Sequence, residues 1–295
     1  MAADSTGPRE TAATEALQWA VRELEGAGIP TAVGDAEIIV AHALGLRRAD
    51  VQEGGAEGRY LDHDQHSLVV DFVGRRKKRE PLQHLTGTSL FRNLQLAVGP
   101  GVFVPRRETE FVTQLAVDAL RASDSPSPIG VDLGTGAGAI ALSMATEVPN
   151  STVIGVELFP EAFEWTKRNF ETIAPGNARA VLGDMADALP ELDGRVDVVA
   201  GNPPFQPDGV EAVTPEVRLF DPPGAVRGGG SDGLDLVRAL SKTARRLLRP
   251  GGTLAFEHGI SQAPAIAALL QHDGWNDVTS HTDPRGRERV TTARR

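Results

Sequence analysis

Two short segments of the chain carry groups that could bind and orient a ligand. Residues 132–138, Asp-Leu-Gly-Thr-Gly-Ala-Gly, follow an apolar run. Glycines there allow a tight turn and bring a ligand against main-chain N–H groups at the start of a helix. Residues 202–205, Asn-Pro-Pro-Phe, follow a second apolar run. Each segment could also be a structural turn without a ligand, because glycine and Asn-Pro both favour turns.

An acidic residue stands at a suitable distance from the glycine-rich turn. Glu157 ends the next apolar run, 19 residues after Gly138. A carboxylate in this position accepts hydrogen bonds from the hydroxyl groups of a ribose. The turn and the carboxylate together indicate a cofactor that contains adenosine. The spacing from Gly134 to Ala139 also loosely fits the dinucleotide pattern, so a nicotinamide enzyme stays open as an alternative.

The Asn-Pro-Pro-Phe segment suits a planar amino group. Two consecutive prolines fix the backbone φ angle twice and remove two N–H donors, which leaves a rigid turn with free carbonyls. The side-chain oxygen of Asn202 and the carbonyl of Pro203 can accept both hydrogens of an NH₂ group. The ring of Phe205 can lie against a flat amide or base. We therefore expect this segment to select and orient a planar, weakly nucleophilic nitrogen.

The elements that must position these segments alternate from residue 111 onward. Apolar runs predict strands, and helix-length stretches lie between them, which predicts a doubly wound α/β sheet, mostly parallel and covered on both faces. Two late β-like segments predict an antiparallel edge. The predicted strands cover residues 129–133, 152–157, 178–182, 196–200 and 253–257, then 277–282 and 289–292; the predicted helices cover residues 137–147, 160–172, 234–248 and 263–271.

The first part of the chain has a different pattern. Apolar residues recur at helical spacing between residues 11 and 79 and predict a bundle of three to five short helices. Short β-prone runs within residues 85–104 predict a hairpin. We therefore divide the chain into a helical domain (1–84), a β-hairpin linker (85–104) and an α/β domain (105–295). The basic run 75–79 is interpreted as a helix face or helix end, with a docking patch for an RNA-associated partner as the alternative.

Composition and charge exclude several classes of protein. The 295 residues contain no cysteine, which removes disulfides, iron–sulfur clusters and thiol nucleophiles. Forty acidic against thirty basic residues give a net charge of −10, unlike a protein that grips a nucleic-acid backbone. No apolar run long enough to span a membrane and no secretory signal occurs, and the histidines are dispersed. We expect a cytoplasmic monomer with no metal site, no membrane segment and no direct nucleic-acid contact.

In combination, the motifs resemble the class I S-adenosylmethionine-dependent methyltransferases that modify amino nitrogens. Further stretches narrow the resemblance to the HemK/PrmC family, protein N5-glutamine methyltransferases that act on peptide chain release factors. The resemblance covers roughly residues 30–295. The further stretches are residues 35–37 (Asp-Ala-Glu), 81–87 (Pro-Leu-Gln-His-Leu-Thr-Gly), 104–110 (Val-Pro-Arg-Arg-Glu-Thr-Glu), 215–218 (Pro-Glu-Val-Arg) and 230–234 (Gly-Ser-Asp-Gly-Leu).

The resemblance implies a seven-stranded Rossmann-like methyltransferase sheet, S-adenosylmethionine as the cofactor and a peptide chain release factor as the protein substrate. The N-terminal helices would recognise that protein. The cofactor-binding residues that it implies are Gly134, Thr135, Gly136, Ala137, Gly138, Glu157, Asp184, Met185 and Asn202. The residues that it implies for catalysis and substrate binding are Asn202, Pro203, Pro204 and Phe205, with Arg106 and Glu108 on the substrate side.

Two positions depart from the family pattern. Phe205 stands where the family usually has Tyr, which keeps the ring but loses a hydroxyl hydrogen bond. Arg107 replaces the second proline of the usual Pro-Arg-Pro-Glu-Thr-Glu run, and residues 108–110 could instead be the capping turn of a helix. Glu257 and His258 could form an acid–base pair, although an ordinary strand end is the favoured interpretation.

Four alternatives of function stay open at this point. They are a glutamine methyltransferase that acts on a ribosomal protein, an adenine-N6 DNA methyltransferase that takes a flipped base, a nicotinamide dehydrogenase, and a binding module without enzymatic activity. The acidic net charge speaks against the DNA enzyme. The chain has no obvious hydride-transfer residues, which speaks against the dehydrogenase.

Overall fold

The computed structural model describes residues 11–174, 176–211 and 214–295. Contacts divide the chain into two units. The first unit contains the described residues up to Gly87 together with residues 214–220, and the second contains the remainder. Of the predicted hairpin linker, residues 85–87 lie in the first unit and residues 88–104 in the second. Residues 1–10 of the predicted helical domain lie outside the described residues. The boundaries drawn at residues 84 and 104 stay predictions.

The first unit is built from helices, as the helical spacing predicts. The second helix packs against the first and the fourth around a core of small and aliphatic side chains, because each helix carries apolar residues three or four positions apart. A pair of two-residue strands was not predicted. The elements are β1 (Thr11–Ala12), α1 (Ala13–Gly26), α2 (Ala32–Leu44), α3 (Arg48–Asp50), β2 (Tyr60–Leu61), α4 (His63–Lys77) and α5 (Leu82–Thr86), with a π-helical turn at Val51–Gly55 and a later helix, α9 (Pro215–Phe220).

The basic run 75–79 lies at the end of α4, in agreement with the helix-end interpretation. Arg76 is buried, and its guanidinium lies 2.7 Å from the carboxylate of Asp35 and 3.0 Å from that of Glu216. Three sequence motifs therefore meet within this unit in one ion cluster centred on the buried Arg76. Other cations of the run also have acidic partners: Arg75 with Glu80, Lys77 with Glu23 and Arg79 with Glu216.

The second unit contains a hairpin, a seven-stranded sheet and the helices that cover the sheet. Its elements are β3 (Thr88–Phe91), β4 (Leu94–Ala97), α6 (Thr109–Arg121), β5 (Ile129–Leu133), α7 (Ala139–Glu147), β6 (Thr152–Glu157), α8 (Pro160–Ile173), β7 (Ala178–Leu182), β8 (Val196–Gly201), α10 (Asp235–Leu247), β9 (Leu248–Glu257), α11 (Ala263–His272), β10 (Asn276–Thr282) and β11 (Glu288–Arg294), with 3₁₀ turns at Pro190–Leu192 and Pro223–Ala225.

The strand order of the sheet is β10-β11-β9-β8-β5-β6-β7. Strands β5 to β9 are parallel, and β11 pairs antiparallel with both β9 and β10. The predicted fold class, mostly parallel with an antiparallel edge, is confirmed. After β5 the chain adds β6 and β7 on one side of β5 and then adds β8 and β9 on the opposite side of β5. The strand order therefore reverses between β5 and β8. Ligands of open α/β sheets bind at such a reversal, beyond the carboxyl ends of the strands.

The central strands are mostly apolar because both faces of the sheet are covered there. One core cluster holds side chains of α6, α7 and α8, and the other holds side chains of α10 and α11. Successive residues of a strand alternate between these clusters, as Val198 and Val199 of β8 show. Burial on both faces explains the continuous apolar runs from which these strands were predicted.

Several element boundaries differ from the sequence predictions, among them those of α7, β9 and α6. Helix α7 begins at Ala139, two residues late, because Gly138 has a φ of +91° and lies outside the helix. Strand β9 begins at Leu248, five residues early, because Leu248 already pairs with Val196 of β8. Helix α6, which begins at Thr109, was anticipated only as a capping turn. No helix of the described chain is long and apolar enough to cross a membrane.

Candidate active site

The glycine-rich turn lies at the carboxyl end of β5. Gly134, Gly136 and Gly138 have φ angles of +78°, +54° and +91°, a region that residues with a side chain rarely adopt. The N–H groups of Gly134 and Thr135 both donate to the carbonyl of Val156, at 3.0 and 2.9 Å, and hold the turn against the neighbouring β6. A Cβ atom on Gly136 would meet nothing within 4 Å, so the space beside this residue is open.

The structure brings Glu157 against this turn. Glu157 ends β6 and is only 6% exposed. One carboxylate oxygen accepts the N–H of Gly136 and the other accepts the N–H of Phe159, each at 2.9 Å. Each oxygen keeps a further lone pair, so the carboxylate can still accept hydrogen bonds from two hydroxyl groups. The open space beside Gly136 and this carboxylate fit an adenosine-containing cofactor such as S-adenosylmethionine.

A buried carboxylate at the end of β5 holds the glycine-rich turn in place. Asp132 is fully buried, and its Oδ2 accepts hydrogen bonds from the Thr135 hydroxyl at 2.6 Å and from the N–H of Ala141 at 3.2 Å. Its Oδ1 has no partner among the described residues. Burial raises the pKa of Asp132 to about 7, although the two hydrogen bonds oppose the shift. The glycine-rich turn is therefore anchored by a group that is close to half protonated near neutral pH.

Asp184 and Met185 follow β7, the next strand beyond β6. A Cβ atom on Gly134 would lie 3.3 Å from the Cε atom of Met185, so the Met185 side chain reaches the glycine-rich turn. Asp184 is exposed, and its carboxylate accepts the N–H of Ala186 at 2.9 Å. Of the two residues predicted to lie near the adenine, the structure brings Met185 to the turn, while the contact that it shows for Asp184 is local.

Asn202 follows β8, the strand beside β5. The two strand ends touch, since a Cβ atom on Gly201 would lie 2.8 Å from the carbonyl oxygen of Leu133. The Nδ2 atom of Asn202 donates to the hydroxyl of Thr109 at 3.1 Å. Within the described residues, neither Oδ1 of Asn202 nor the carbonyl of Pro203 accepts a hydrogen bond. Two hydrogen-bond acceptors are therefore left open at the carboxyl end of β8.

The backbone of residues 204–205 is held by close packing. A Cβ atom on Gly228 would lie 2.7 Å from the carbonyl oxygen of Pro204, and one on Gly233 would clash with that of Phe205. The Phe205 carbonyl also accepts a hydrogen bond from Nε2 of Gln262 at 2.9 Å. Sequence reasoning missed this support, although the glycines of residues 228–233 were a visible signal for a close backbone approach.

The predicted substrate-side residues, Arg106 and Glu108, have charged partners of their own. Arg106 forms an ion pair with Asp221 and lies 4.8 Å from the centre of the Phe103 ring. Glu108 lies 3.6 Å from the guanidinium of Arg287. In the described structure neither residue forms a hydrogen bond to residues 202–205. The contact with Asn202 comes instead from Thr109, which the sequence analysis placed in the same segment without a role.

The hydroxyl of Thr109 also donates to Oε2 of Glu257 at 2.7 Å, and Arg289 donates to Oε1 of Glu257 at 2.9 Å. The ring nitrogens of His258 bond elsewhere, to the carbonyl of Gly259 and the hydroxyl of Thr291. Glu257 and His258 are thus neighbours at a strand end and share no hydrogen bond in the described structure. No group of three or more metal-binding side chains is found in the part of the chain that the structure covers.

Comparison with known proteins places the chain among methyltransferases. The PrmC N-terminal domain model matches residues 15–87, and the methyltransferase small domain model matches residues 93–221. A release factor glutamine methyltransferase of Streptomyces coelicolor is 45% identical over 94% of this chain and 95% of its own length. A 4-amino-L-phenylalanine/4-methylamino-L-phenylalanine methyltransferase of Streptomyces pristinaespiralis is 38% identical over 90% of each chain. The crystal structure of a methyltransferase from Pyrococcus furiosus shares the fold, with 18% identity and a TM-score of 0.51 over 79% of this chain and 98% of its own.

Proposed function

The chain belongs to the PrmC family of release factor glutamine methyltransferases, and on this basis we propose that it methylates the side-chain amide nitrogen (N5) of a glutamine in a peptide chain release factor. It is an S-adenosylmethionine-dependent methyltransferase. The observation that carries the choice of acceptor is the pair of open hydrogen-bond acceptors at the end of β8, Oδ1 of Asn202 and the carbonyl of Pro203. They lie at the strand-order reversal, next to the glycine-rich turn.

S-adenosylmethionine supplies a methyl group that is activated by a positively charged sulfur. We assign its binding to residues 134–138, Glu157 and Met185, with Asp184 near the adenine and Asn202 at the border with the substrate. The glycine-rich turn offers open space beside Gly136, and Glu157 offers free lone pairs to the ribose hydroxyls.

A glutamine side-chain nitrogen is a weak nucleophile because its lone pair is delocalised into the carbonyl. Oδ1 of Asn202 and the carbonyl of Pro203 accept its two hydrogens, which favours lone-pair density on the nitrogen. The Phe205 ring supports the amide plane. The same two oxygens face the positive charge that develops on the nitrogen, and such preorganised groups stabilise a transition state. Fixing the orientation of the nitrogen contributes further, and the excess proton leaves to water after transfer.

Recognition of the release factor is assigned to the first unit, whose residues match the PrmC N-terminal domain. The basic run 75–79 contributes little to this recognition, because four of its five cations already have acidic partners within the chain. Arg106 and Glu108 remain on the substrate side of the proposed site, where their ion pairs hold the segment before α6.

The test is a set of methyl-transfer reactions with S-adenosylmethionine that carries a labelled methyl group. The acceptors are a bacterial release factor, the same factor with its target glutamine replaced by alanine, a mixture of ribosomal proteins, double-stranded DNA and 4-amino-L-phenylalanine. We expect label only in the unmodified release factor, on a glutamine side chain. Label in a ribosomal protein or in 4-amino-L-phenylalanine, with none in the release factor, would overturn the proposed acceptor. The amino acid is included because one relative of similar length is named for it.

A further inference from the structure

We propose that Thr109, Glu257 and Arg289 form a positioning chain that decides which end of the Asn202 amide faces the substrate. None of the three is assigned to contact the substrate or the cofactor; they act through Asn202. The inference rests on the proposed function, since it concerns the residue that would hold the glutamine nitrogen. It adds three residues from three different elements, α6, β9 and the antiparallel strand β11.

The hydrogen bonds of the positioning chain run in one direction. Arg289 donates to Oε1 of Glu257 at 2.9 Å, and Thr109 donates its hydroxyl proton to Oε2 of Glu257 at 2.7 Å. A threonine hydroxyl has a single proton, so this donation leaves the Thr109 oxygen able only to accept. Its remaining neighbour is therefore required to be a donor.

Asn202 meets that requirement only with its nitrogen. Nδ2 of Asn202 donates to Thr109 at 3.1 Å, which turns the opposite end of the amide, Oδ1, away from Thr109. An amide that is turned over would place two acceptors against each other at Thr109 and would present N–H donors to the NH₂ group of the substrate. The positioning chain excludes this arrangement, which would be repulsive at both ends.

The charge on Glu257 sets the direction of the chain. If Glu257 were protonated, it could donate to Thr109, and the hydroxyl would then be free to donate to Oδ1 of Asn202. Burial of Glu257 raises its pKa, while the hydrogen bond from Thr109 and the charge of Arg289 oppose that shift. Glu108, at the start of α6, adds a like charge that is itself paired with Arg287. Arg289 is thus the positive charge that favours the ionised form of Glu257.

Burial strengthens the effect of these hydrogen-bond directions on Asn202. Thr109 and Glu257 are 4% and 3% exposed, so water cannot readily replace a missing donor or acceptor. A buried polar group without a partner is costly, and both carboxylate oxygens of Glu257 have a donor within the chain. The rotation of the Asn202 side chain is therefore limited by a hydroxyl and a carboxylate that are themselves buried.

The first experiment compares threonine variants of α6. Thr109→Val removes the hydroxyl, Thr109→Ser keeps it, and Thr113→Val is the matched control, because Thr113 is fully buried one turn later and its hydroxyl donates to the carbonyl of Thr109. We expect kcat to fall at least about tenfold in Thr109→Val and to stay within about threefold in Thr109→Ser and Thr113→Val. The dissociation constant of S-adenosylhomocysteine should be unchanged in all three, which shows that the fold is retained.

The second experiment reads the charge on Glu257 through the pH dependence of kcat. Arg289→Gln removes the positive charge, so the pKa of Glu257 rises and the acidic limb of the profile moves to higher pH. Asp197→Asn is the control, since it disrupts another buried carboxylate–arginine pair, with Arg249, at the opposite end of β8. An unmoved limb in Arg289→Gln, or equal kcat in Thr109→Val and Thr113→Val, would overturn the inference. Wild-type protein that leaves the release factor unlabelled would overturn the proposed function instead.

Discussion

The side-chain nitrogen of Asn202 lies 3.1 Å from the hydroxyl oxygen of Thr109, 93 positions earlier in the chain. The contact joins the turn after β8 to the first residue of α6. It brings the Asn-Pro-Pro-Phe motif into contact with the segment of residues 104–110, two motifs that carry the family resemblance. It also occupies one end of the amide and leaves the other end open. Removal of this amide should therefore impair catalysis and spare the fold.

Asn202→Ala is expected to lower kcat on the order of a hundredfold, because preorganised polar groups of this kind contribute that much to transition-state stabilisation. The affinity for S-adenosylhomocysteine, measured by calorimetry, should stay within a few fold. The control is Asn177→Ala, which removes an asparagine that bonds to the carbonyl of Ala145 just before β7. Equal losses of cofactor affinity and activity in Asn202→Ala would show that this residue is only structural.

Glu157→Gln should weaken cofactor binding. The neutral amide replaces one of the two oxygens that accept backbone N–H groups, and it loses the charge offered to the ribose hydroxyls. We expect the dissociation constant of S-adenosylhomocysteine to rise about tenfold to a hundredfold. Glu161→Gln, on the exposed side of the first turn of α8, is the matched control and should bind normally. A wild-type affinity in Glu157→Gln would remove Glu157 from the cofactor site.

Arg76→Met should destabilise the helical unit. The substitution leaves the buried carboxylate of Asp35 and the partly buried carboxylate of Glu216 without their shared cation, and loss of one partner of a buried ion pair typically costs about 3–5 kcal/mol. Lys77→Met, at the next residue, breaks an exposed ion pair with Glu23. It should lower the free energy of unfolding by about 1 kcal/mol or less. The free energies of unfolding come from urea denaturation followed by circular dichroism. Similar free energies of unfolding for the two variants would show that the Arg76 cluster stabilises the unit no more than an exposed ion pair does.

Asp132 should make stability depend on pH. Its folded pKa of about 7 lies above the value near 3.9 expected in the unfolded chain, so the folded state binds the proton more tightly. The contribution of this tighter proton binding to the free energy of unfolding is fully present below about pH 4 and is lost as the pH rises to about 7. Asp132→Asn removes the titrating carboxyl group. The free energy of unfolding of this variant should therefore fall less between about pH 4 and pH 7 than that of the wild type. Parallel pH profiles of the two proteins would contradict the raised pKa.

The sheet could be predicted because its signal is local. Strands that are buried on both faces are continuous apolar runs. Gly134 directly follows β5, Glu157 ends β6, and Asn202 directly follows β8, at recognisable spacings. A parallel sheet places such strand ends at one edge, so the meeting of the glycine-rich turn with Glu157 followed from the order of elements alone. The two late β-like segments, which have no helix between them, predicted the antiparallel edge.

Contacts between distant segments could not be predicted in this way. Thr109 and Glu257 are 148 positions apart, and Arg76 and Glu216 are 140 positions apart. Each pair depends on how a helix packs against elements that follow much later in the chain, which no local pattern encodes. The basic run 75–79 shows the consequence, because its charges suggest a surface for a partner while Arg76 lies buried against two carboxylates.

The most direct test of the proposed site is a crystal structure of the protein with S-adenosylhomocysteine and a release-factor peptide that contains the target glutamine. We expect the side-chain nitrogen of that glutamine to lie within about 3.2 Å of both Oδ1 of Asn202 and the carbonyl oxygen of Pro203. Nδ2 of Asn202 should still donate to Thr109. A glutamine amide bound elsewhere, or an Asn202 side chain that presents its nitrogen to the peptide, would contradict the account.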